Sequence, residues 1–219
     1  VDLVCATYDF RGEPFDLNDY IDYNTGFISQ KSKDGKEHDV SVNIAASEEL
    51  CLDEPNRIEV VTEKLEIGNI AAMKMGNPTQ EPLNRSGDDI KIDWGYLYLA
   101  CNSGEAKSFS NEIWGDVHIN LTAPLKENKS VLYCFAYDDI ESIEYFGKHL
   151  CSYWNRNGQT ITQAIAEAAG EYDSVMSRCK EFSDKLYADA FEAGGEKYAE
   201  ICELSFRQAI AAHKLVLDE

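Results

Sequence analysis

The chain has 219 residues, 44% of them hydrophobic, with a formal net charge of −20 and a sequence isoelectric point of about 4.5. This length allows one medium domain plus an appendage. So acidic a surface repels phosphate groups, which argues against nucleic acid and anionic membranes as partners. No apolar run in the sequence is long enough to cross a bilayer.

Cysteine and histidine spacing bears on metal sites and disulfides. The seven cysteines are scattered, odd in number and without a C-x-x-C pair, so we expect buried free thiols. The four histidines are far apart and lack the spacing of metal ligands. The sequence therefore predicts no metal site and no cofactor. The residues concerned are Cys5, Cys51, Cys101, Cys134, Cys151, Cys179, Cys202, His38, His118, His149 and His213.

The first 154 residues have the pattern of β structure. Short runs of alternating apolar and polar residues lie between turn sequences. After a predicted hairpin turn at Asp34-Gly35, the residues at 40, 42 and 44 alternate with polar ones. Residues 90–99 have substantial side chains on both faces, which predicts a central strand covered on both sides. Other strands are predicted at 1–8, 26–32, 57–63, 65–70, 71–75, 117–121 and 131–136. We expect a sandwich of antiparallel sheets whose core includes Val40, Val42, Ile44, Leu97, Leu99, Leu132 and Phe135.

A long helix is predicted next. Thr160 and Gln163 fit a capping box, in which each side chain satisfies a backbone donor at the helix start. Apolar residues then recur at helical spacing through residue 186, and acidic residues occupy the opposite face. The buried stripe should contain Ile161, Ile165, Tyr172, Cys179, Phe182 and Leu186, and the exposed face should contain Glu167, Glu171 and Glu181.

The last helix is predicted over 195–217, after the Gly194-Gly195 pair. Its apolar residues lie nearly all round, which is typical of a helix inside a larger body. We therefore expect part of its apolar surface to be exposed or covered by a second copy. That part comprises Phe206, Ile210, Leu215 and Leu217. The fold class is mainly β with C-terminal α, in a β-sandwich domain at 1–154 and a helical part at 155–219.

Two patterns resemble catalytic groups. Ser177 and Lys180 form an S-x-x-K motif, in which a lysine activates a serine nucleophile. Both residues fall on solvated sides of the long helix, and no S-D-N or K-T-G follows, so we interpret the match as structural. Asp138 and Asp139 follow a predicted strand, where adjacent residues point to opposite faces. For this pair, a turn-capping or solvated role is favoured over an acid–base pair.

Two further features have a structural and a functional interpretation. Arg207, on an apolar helix, needs a carboxylate; Glu203, one turn back, is the favoured partner over a ligand. Trp94, Tyr96 and Tyr98 would form a sugar-stacking platform if exposed, but core packing is the favoured interpretation on a central strand. The sequence therefore identifies no catalytic residue.

Four segments of the chain resemble the glutaminase A family, in the order in which the family has them. They are DGKEHDVSV at 34–42, DWGYLYLA at 93–100, SVLYCFAYDDIESIEYFGKHL at 130–150 and KYAEICELSFRQAIAAHKLV at 197–216. Residues 76–89 and 102–116 match nothing in that pattern. The family's β domain is expected to begin upstream of Val1. Since Val1 is not a natural start, there is room upstream for a signal peptide.

The resemblance implies a secreted or periplasmic protein with a β domain followed by a large α/α toroid. On that basis the last helix is the first helix of the toroid, and the remaining helices or a second copy cover it. The parent protein would release ammonia from the side-chain amide of L-glutamine, its small-molecule substrate. The 219-residue chain would itself be inactive. A carbohydrate-active protein and a non-catalytic β-sandwich binding module are the alternatives, because fold does not fix function.

Overall fold

The computed structural model describes residues 21–22, 27–28, 40–52, 59–84, 93–113, 116–125 and 130–218. Within these residues, strands and helices follow one another in the order β1–β11, α1, α2. The strands are β1 Ile21–Asp22, β2 Phe27–Ile28, β3 Val40–Ser47, β4 Val61–Ile67, β5 Ile70–Gly76, β6 Tyr96–Cys101, β7 Lys107–Ile113, β8 Asp116–Leu125, β9 Tyr133–Asp138, β10 Ile143–Tyr145 and β11 Lys148–Leu150. The helices are α1 Ile161–Gly194 and α2 Glu196–Ala211.

Two antiparallel sheets form the body of the molecule. One has the strand order β3-β8-β7 and the other β4-β5-β6-β9. Alternate residues of β5, β6 and β8 share one buried core, with Met75, Leu99 and Leu121 among its most enclosed side chains. Because a strand turns successive side chains to opposite faces, each sheet contributes one face to this core. The predicted β-sandwich is therefore confirmed.

The four-stranded sheet is covered on its second face as well. Ala72, Tyr98 and Ala100 lie on that face and pack with Ile165 from the start of α1. β6 is thus a central strand with protein on both sides, as its two-sided apolar pattern predicts. The result is a layered order of sheet, sheet and the first turns of a helix.

Three of the seven predicted core residues lie in the core or against it. Leu97 and Leu99 are buried, and Ile44 packs against the same cluster. Val42 and Leu132 are half-buried. The prediction for Phe135 is wrong, since this side chain is 43% exposed. β9 is an edge strand of its sheet and has a neighbour on one side only, so alternation alone did not secure burial. The side chain of Val40 lies outside the described residues.

Several predicted strand boundaries need correction. Three runs are predicted within 57–75, whereas the described residues 59–76 form two strands, β4 and β5, joined by a turn at Gly68-Asn69. The strand predicted over 90–99 begins at Tyr96, because Gly95 has a positive φ of 81° and packs against the Asp138 carbonyl. β7 and the β10–β11 hairpin fall in segments where no strand was predicted. The predicted strand at 1–8 and the turn at Asp34-Gly35 lie outside the described residues.

α1 begins as predicted. Thr160 accepts a hydrogen bond from the Gln163 backbone N–H, and the Gln163 side chain accepts one from the Thr160 backbone N–H at 2.9 Å. The helix runs for 34 residues, beyond the predicted end at residue 186. Ile161 and Ile165 pack on the sheet, and the three acidic residues Glu167, Glu171 and Glu181 are exposed, as expected.

The predicted buried stripe of α1 is wrong in its middle section. Tyr172 and Cys179 are exposed, and Phe182 is half exposed although its ring lies 4.9 Å from that of Phe206. The sheet contacts the first turns of α1, whereas α2 lies along its later turns. Between them, residues 166–182 are exposed with the sole exception of Ala169. The periodicity correctly identified a helical face but not what covers it.

α2 is shorter than predicted, because it ends at Ala211 rather than at residue 217. Residues 212–218, which we call the strap, return to the segment after β11, where Val216 forms an antiparallel bridge with Ser152. Phe206, Ile210 and Leu215 are exposed, which confirms the expected apolar surface, and Leu217 is half-buried. No helix of the described residues is long and apolar enough to span a membrane. The division into domains at residue 154 remains a prediction.

Candidate functional site

The most concentrated group of polar side chains surrounds Asp139, directly after β9. Asp139 is only 3% exposed. Its Oδ1 accepts hydrogen bonds from the hydroxyls of Ser142, at 3.0 Å, and Ser152, at 3.1 Å. Those two hydroxyls are 2.7 Å apart, and Lys214 of the strap forms an ion pair with Asp139 Oδ2. We call these four residues the Asp139 cluster.

A tight turn after β9 places Asp139 in the interior. The side chain of Asp138 accepts a hydrogen bond from the Ile140 N–H at 3.0 Å, and Ile140 takes a positive φ of 59°. Ser142 N then donates to Leu150 O at 2.8 Å, which sets the β10–β11 hairpin beside the turn. Adjacent carboxylates thus have separate roles: Asp138 caps the turn and Asp139 is buried. The expectation of a turn-capping or solvated role is confirmed for Asp138 and wrong for Asp139.

The hydrogen bonds of the Asp139 cluster run among its own members. A buried carboxylate is stable only when paired and hydrogen-bonded, and two hydroxyls and an ammonium group supply those partners. Nucleophilic catalysis would instead need a serine whose base is available to take its proton. Here Asp139 is shared between two serines and a lysine cation. The arrangement therefore stabilises a buried charge and fastens the strap to the β domain.

A half-buried phenol and a buried indole flank this end of the sandwich. Burial, with the nearby Cys51 and Asp139, raises the pKa of Tyr137, whose hydroxyl donates to the Trp94 carbonyl at 2.5 Å. Trp94 is itself buried and donates from Nε1 to the Glu141 carbonyl at 3.1 Å. These contacts link β9, the segment before β6 and the turn that carries Asp139.

A polar cavity of about 420 Å³ lies where the β4–β5 turn, the β6–β7 loop and the ends of β8 and β9 meet. The side chain of Asn102 accepts a hydrogen bond from Leu132 N at 2.9 Å, which fixes its orientation. Asn69 packs so closely on Gly104 that a Cβ there would come within 2.2 Å of its Oδ1. The cavity is lined by Asn69, Asn102, Ser103, Gly104, Glu105, Pro124, Ser130 and Val131. Amides, hydroxyls and one carboxylate can bind a hydroxyl-rich ligand, but they include no strong base or thiol.

The helices carry an exposed apolar surface of unusual extent. Leu204 of α2 is 58% exposed and Ile201 is 61% exposed, and α1 adds several more large side chains. Large apolar side chains exposed in this number favour an interaction site. We call it the helical apolar surface and define it as Tyr172, Val175, Met176, Phe182, Phe191, Tyr198, Ile201, Leu204, Phe206 and Ile210.

Comparison with known proteins places the chain in a family. Residues 27–120 and 116–189 match the model of a family described as a domain of unknown function, DUF5127. The chain belongs to that family. Residues 1–41 also match a second family of that description, DUF4301. The DUF5127 match includes three members of the Asp139 cluster and stops before Lys214.

The chain is distantly similar to a protein whose function is named. The chain is 23% identical over 222 residues to glutaminase A of Aspergillus oryzae (strain ATCC 42149 / RIB 40). That similarity covers 86% of this chain but 32% of the relative, so the chain spans about a third of the relative's length. No solved structure matches the chain. The resemblance found in the sequence segments is thus supported at the level of a distant relationship.

Each of the two residues of the S-x-x-K motif is paired with another residue of α1. Ser177 Oγ donates to the Asp173 carbonyl at 2.9 Å, one turn back. Lys180 pairs with Asp184 at 2.5 Å on the exposed side of α1. Arg207 pairs with Glu203 at 2.6 Å, as predicted. Both motifs are therefore surface features of helices.

The aromatic and histidine candidates are likewise dispersed. Trp94 and Tyr98 are buried, so they form no stacking platform, and Tyr96 has the Lys74 ammonium 3.9 Å from its ring centroid. His149 lies 2.8 Å from Glu141, and His118 contacts the Asp116 carbonyl. Among the residues that the structure describes, no three acidic, histidine or cysteine side chains are grouped as metal ligands.

The six described cysteines form no disulfide with one another. Cys51 and Cys101 are buried in the sandwich core, as expected, whereas Cys179 is exposed. Cys5 and His38 lie outside the described residues.

Sequence reasoning missed the Asp139 cluster. Its members Ser142, Ser152 and Lys214 are separated by up to 75 residues from Asp139, and none belongs to a recognisable motif. The helix predicted over 195–217 includes Lys214, whereas in the structure α2 ends at Ala211 and Lys214 lies in the strap. The one available signal was an aspartate pair directly after an apolar strand.

Proposed function

We propose that this chain is the β domain and leading helical pair of a glutaminase-like amidohydrolase. The parent protein would hydrolyse L-glutamine to L-glutamate and ammonia. The distant similarity to glutaminase A, which extends over most of the chain, supports this reaction. In keeping with the family resemblance, the parent would act outside the cytoplasm, as a secreted or periplasmic protein.

The exposure of the helical apolar surface is the structural observation that supports this proposal. Fully burying a side chain of this size is worth roughly 1.5–3 kcal/mol, so leaving ten of them partly exposed forgoes a large stabilisation. We propose that further helices of the parent cover this surface. α2 would then be an inner helix of a larger α/α domain.

The isolated chain should be inactive on glutamine. Amide hydrolysis needs a nucleophile, a base and donors for the developing oxyanion at mutual hydrogen-bond distance. The described residues bring no such set together at an open site. Catalytic groups would then belong to the part of the parent that covers the helices.

A side-by-side assay tests the reaction. The 219-residue chain and the full-length parent are supplied with L-glutamine, and ammonia release is measured by a coupled assay. We expect release by the parent alone. Activity of the short chain would place the catalytic groups within it, and inactivity of the parent would contradict the amidohydrolase assignment.

A charge introduced on α2 tests the docking. Ile201→Glu in the isolated chain should change its unfolding free energy by less than about 0.5 kcal/mol, because the site is exposed. In the parent it should reduce the soluble yield and the activity sharply. Glu200→Gln, its exposed neighbour, is the matched control. An Ile201→Glu parent as soluble and active as the control would contradict docking at this face.

The polar cavity favours a second candidate function. A non-catalytic binding module commonly uses loops at one end of a β-sandwich, and the amide and hydroxyl lining suits a saccharide. Titration with methyl glycosides should then shift the side-chain amide NMR signals of Asn69 and Asn102. Saturable shifts with a methyl glycoside, together with no ammonia release from glutamine by the parent, would favour this binding module over the amidohydrolase.

A further inference from the structure

The strap is attached to the β domain by a small number of contacts. Beside the bridge between Val216 and Ser152, Tyr153 N donates to Leu215 O at 3.0 Å, and Leu217 N donates to Cys151 O at 3.0 Å. Residues 213–215 are exposed, so little apolar burial holds this part of the strap in place. Its attachment therefore depends mainly on polar contacts.

Two ion pairs accompany the bridge, and they differ in environment. Lys148 and Asp218 lie 3.1 Å apart with both side chains 61% exposed, where water and salt screen the attraction. Lys214 instead reaches the buried carboxylate of Asp139, which the two serine hydroxyls also hold. Removing the lysine would leave a buried charge without its cation, which is far more costly than losing a surface pair.

The strap has its own hinge. α2 closes with hydrogen bonds from Ala212 N to Gln208 O at 3.1 Å and from His213 N to Ile210 O at 3.2 Å, and the chain then leaves the helix. Rotation about residues 213–214 would lift the rest of the strap without breaking a backbone hydrogen bond inside α1, α2 or either sheet. Local opening of such a unit costs much less than global unfolding.

We propose that the strap is a latch, which opens as a unit and which Lys214 holds closed through Asp139. Opening would free the Tyr153 N–H and the Cys151 carbonyl, and it would uncover the Asp139 carboxylate with its two serine hydroxyls. The uncovered edge is a binding site for an extended peptide. By the geometry of the strap itself, it takes a lysine or arginine two residues before the bridging position.

Hydrogen exchange of the intact chain measures this opening. The amides of Tyr153 and Leu217 donate across the bridge, so their exchange rates report it, while the amide of Leu99 in β6 reports global unfolding. We expect both bridge amides to exchange faster than the Leu99 amide in the unaltered chain. In Lys214→Met they should exchange about tenfold faster still, or more.

Controls separate the latch from a general loss of stability. Lys148→Met removes the exposed ion pair of the same strap and should change the bridge amides less than about twofold. Lys214→Arg keeps the cation and should leave protection close to that of the unaltered chain. If Lys214→Met accelerates Leu99 equally, or leaves Tyr153 and Leu217 unchanged, the proposal is wrong.

The peptide site has a separate test. A chain ending at Ala212 is mixed with a synthetic peptide of residues 212–218, and binding is followed by NMR shifts at Ser152 and Tyr153. We expect shifts that saturate at millimolar peptide, and none with a peptide carrying methionine in place of Lys214. Equal binding of both peptides, or of neither to a truncated chain that is still folded, would overturn the site.

Discussion

The sandwich and the helical pair differ in how they bury apolar side chains. In the sandwich, residues from both sheets enclose one another, and Leu99, Ile119 and Leu121 are wholly inaccessible. In the two helices, fifty residues long together, Ile165, Ala190 and Ala199 are the buried ones. The sandwich encloses a core of its own, whereas the helices leave most of their large apolar side chains exposed.

The difference follows from geometry. A sheet face that packs on a second sheet of the same chain completes a core with its own residues. Only the first turns of α1 contact the sheet, and α2 covers only the later turns of α1. Two helices packed in this way enclose few apolar side chains. Mutations in the two regions should therefore have very different costs.

The largest effect is expected in the sandwich core. Leu99→Ala removes a fully buried side chain from the central strand β6 and should lower the free energy of unfolding by about 3 kcal/mol. Urea denaturation followed by tryptophan fluorescence measures it. The matched change in the helices, Leu204→Ala, should cost less than about 0.5 kcal/mol. Equal losses at the two sites would abolish the contrast between the regions.

A smaller effect is expected where Tyr133 links the two sheets. Its hydroxyl donates to Val42 O at 2.7 Å and accepts from Ala123 N at 3.2 Å, so Tyr133→Phe should cost about 1–2 kcal/mol at neutral pH. The fold, chiefly through burial, raises the pKa of Tyr133 from 10.0 to about 12. The stabilisation of the neutral phenol is therefore complete below pH 10 and is lost as the pH rises through about 12.

The loss of stability at alkaline pH can be measured separately from the loss of the Tyr133 hydrogen bonds. Stability should fall between pH 10 and about 12, and the fall should be smaller in Tyr133→Phe because one titrating phenol is gone. A set of urea titrations across that range measures both slopes. Identical slopes in the two proteins would mean that Tyr133 titrates as it does in the unfolded chain.

The smallest effect is expected between the helices. The rings of Phe182 and Phe206 contact each other but remain half exposed, so Phe182→Ala should cost about 1 kcal/mol. The double variant with Phe206→Ala should lose less than the sum of the single losses. A cost as large as that of Leu99→Ala would show that the helical pair has a closed core after all.

Much of the fold could be predicted from local patterns. The alternation in β3, the two-sided apolar pattern of β6, the capping box at Thr160 and the acidic face of α1 are all local signals, and each is present in the structure. The burial predicted for Phe135 is wrong because its exposure depends on which strand lies at the edge of the sheet, and this is a property of topology. The burial predicted for Tyr172 and Cys179 is wrong because periodicity identifies a helical face but not a neighbour to cover it.

The Asp139 cluster could not be predicted in the same way. Its members come from the turn after β9, the residue before β10, the segment after β11 and the strap, so only the assembled chain brings them together. Lys214 illustrates the difficulty, since the apolar periodicity of α2 extends past Ala211 although the helix does not. The glutaminase resemblance, by contrast, was visible in ordered segments and has a distant curated counterpart.

Native-state hydrogen exchange on the intact chain tests the central contrast most directly. Amides of β6 should exchange only through global unfolding, with rates that follow the unfolding free energy measured in urea. Amides in the middle of α2, from Ile201 to Phe206, should exchange through local opening at least tenfold faster than those of β6, because few buried contacts hold that helix. If α2 exchanges as slowly as β6, the helical pair is as firmly enclosed as the sandwich, and the account of an uncovered docking surface is wrong.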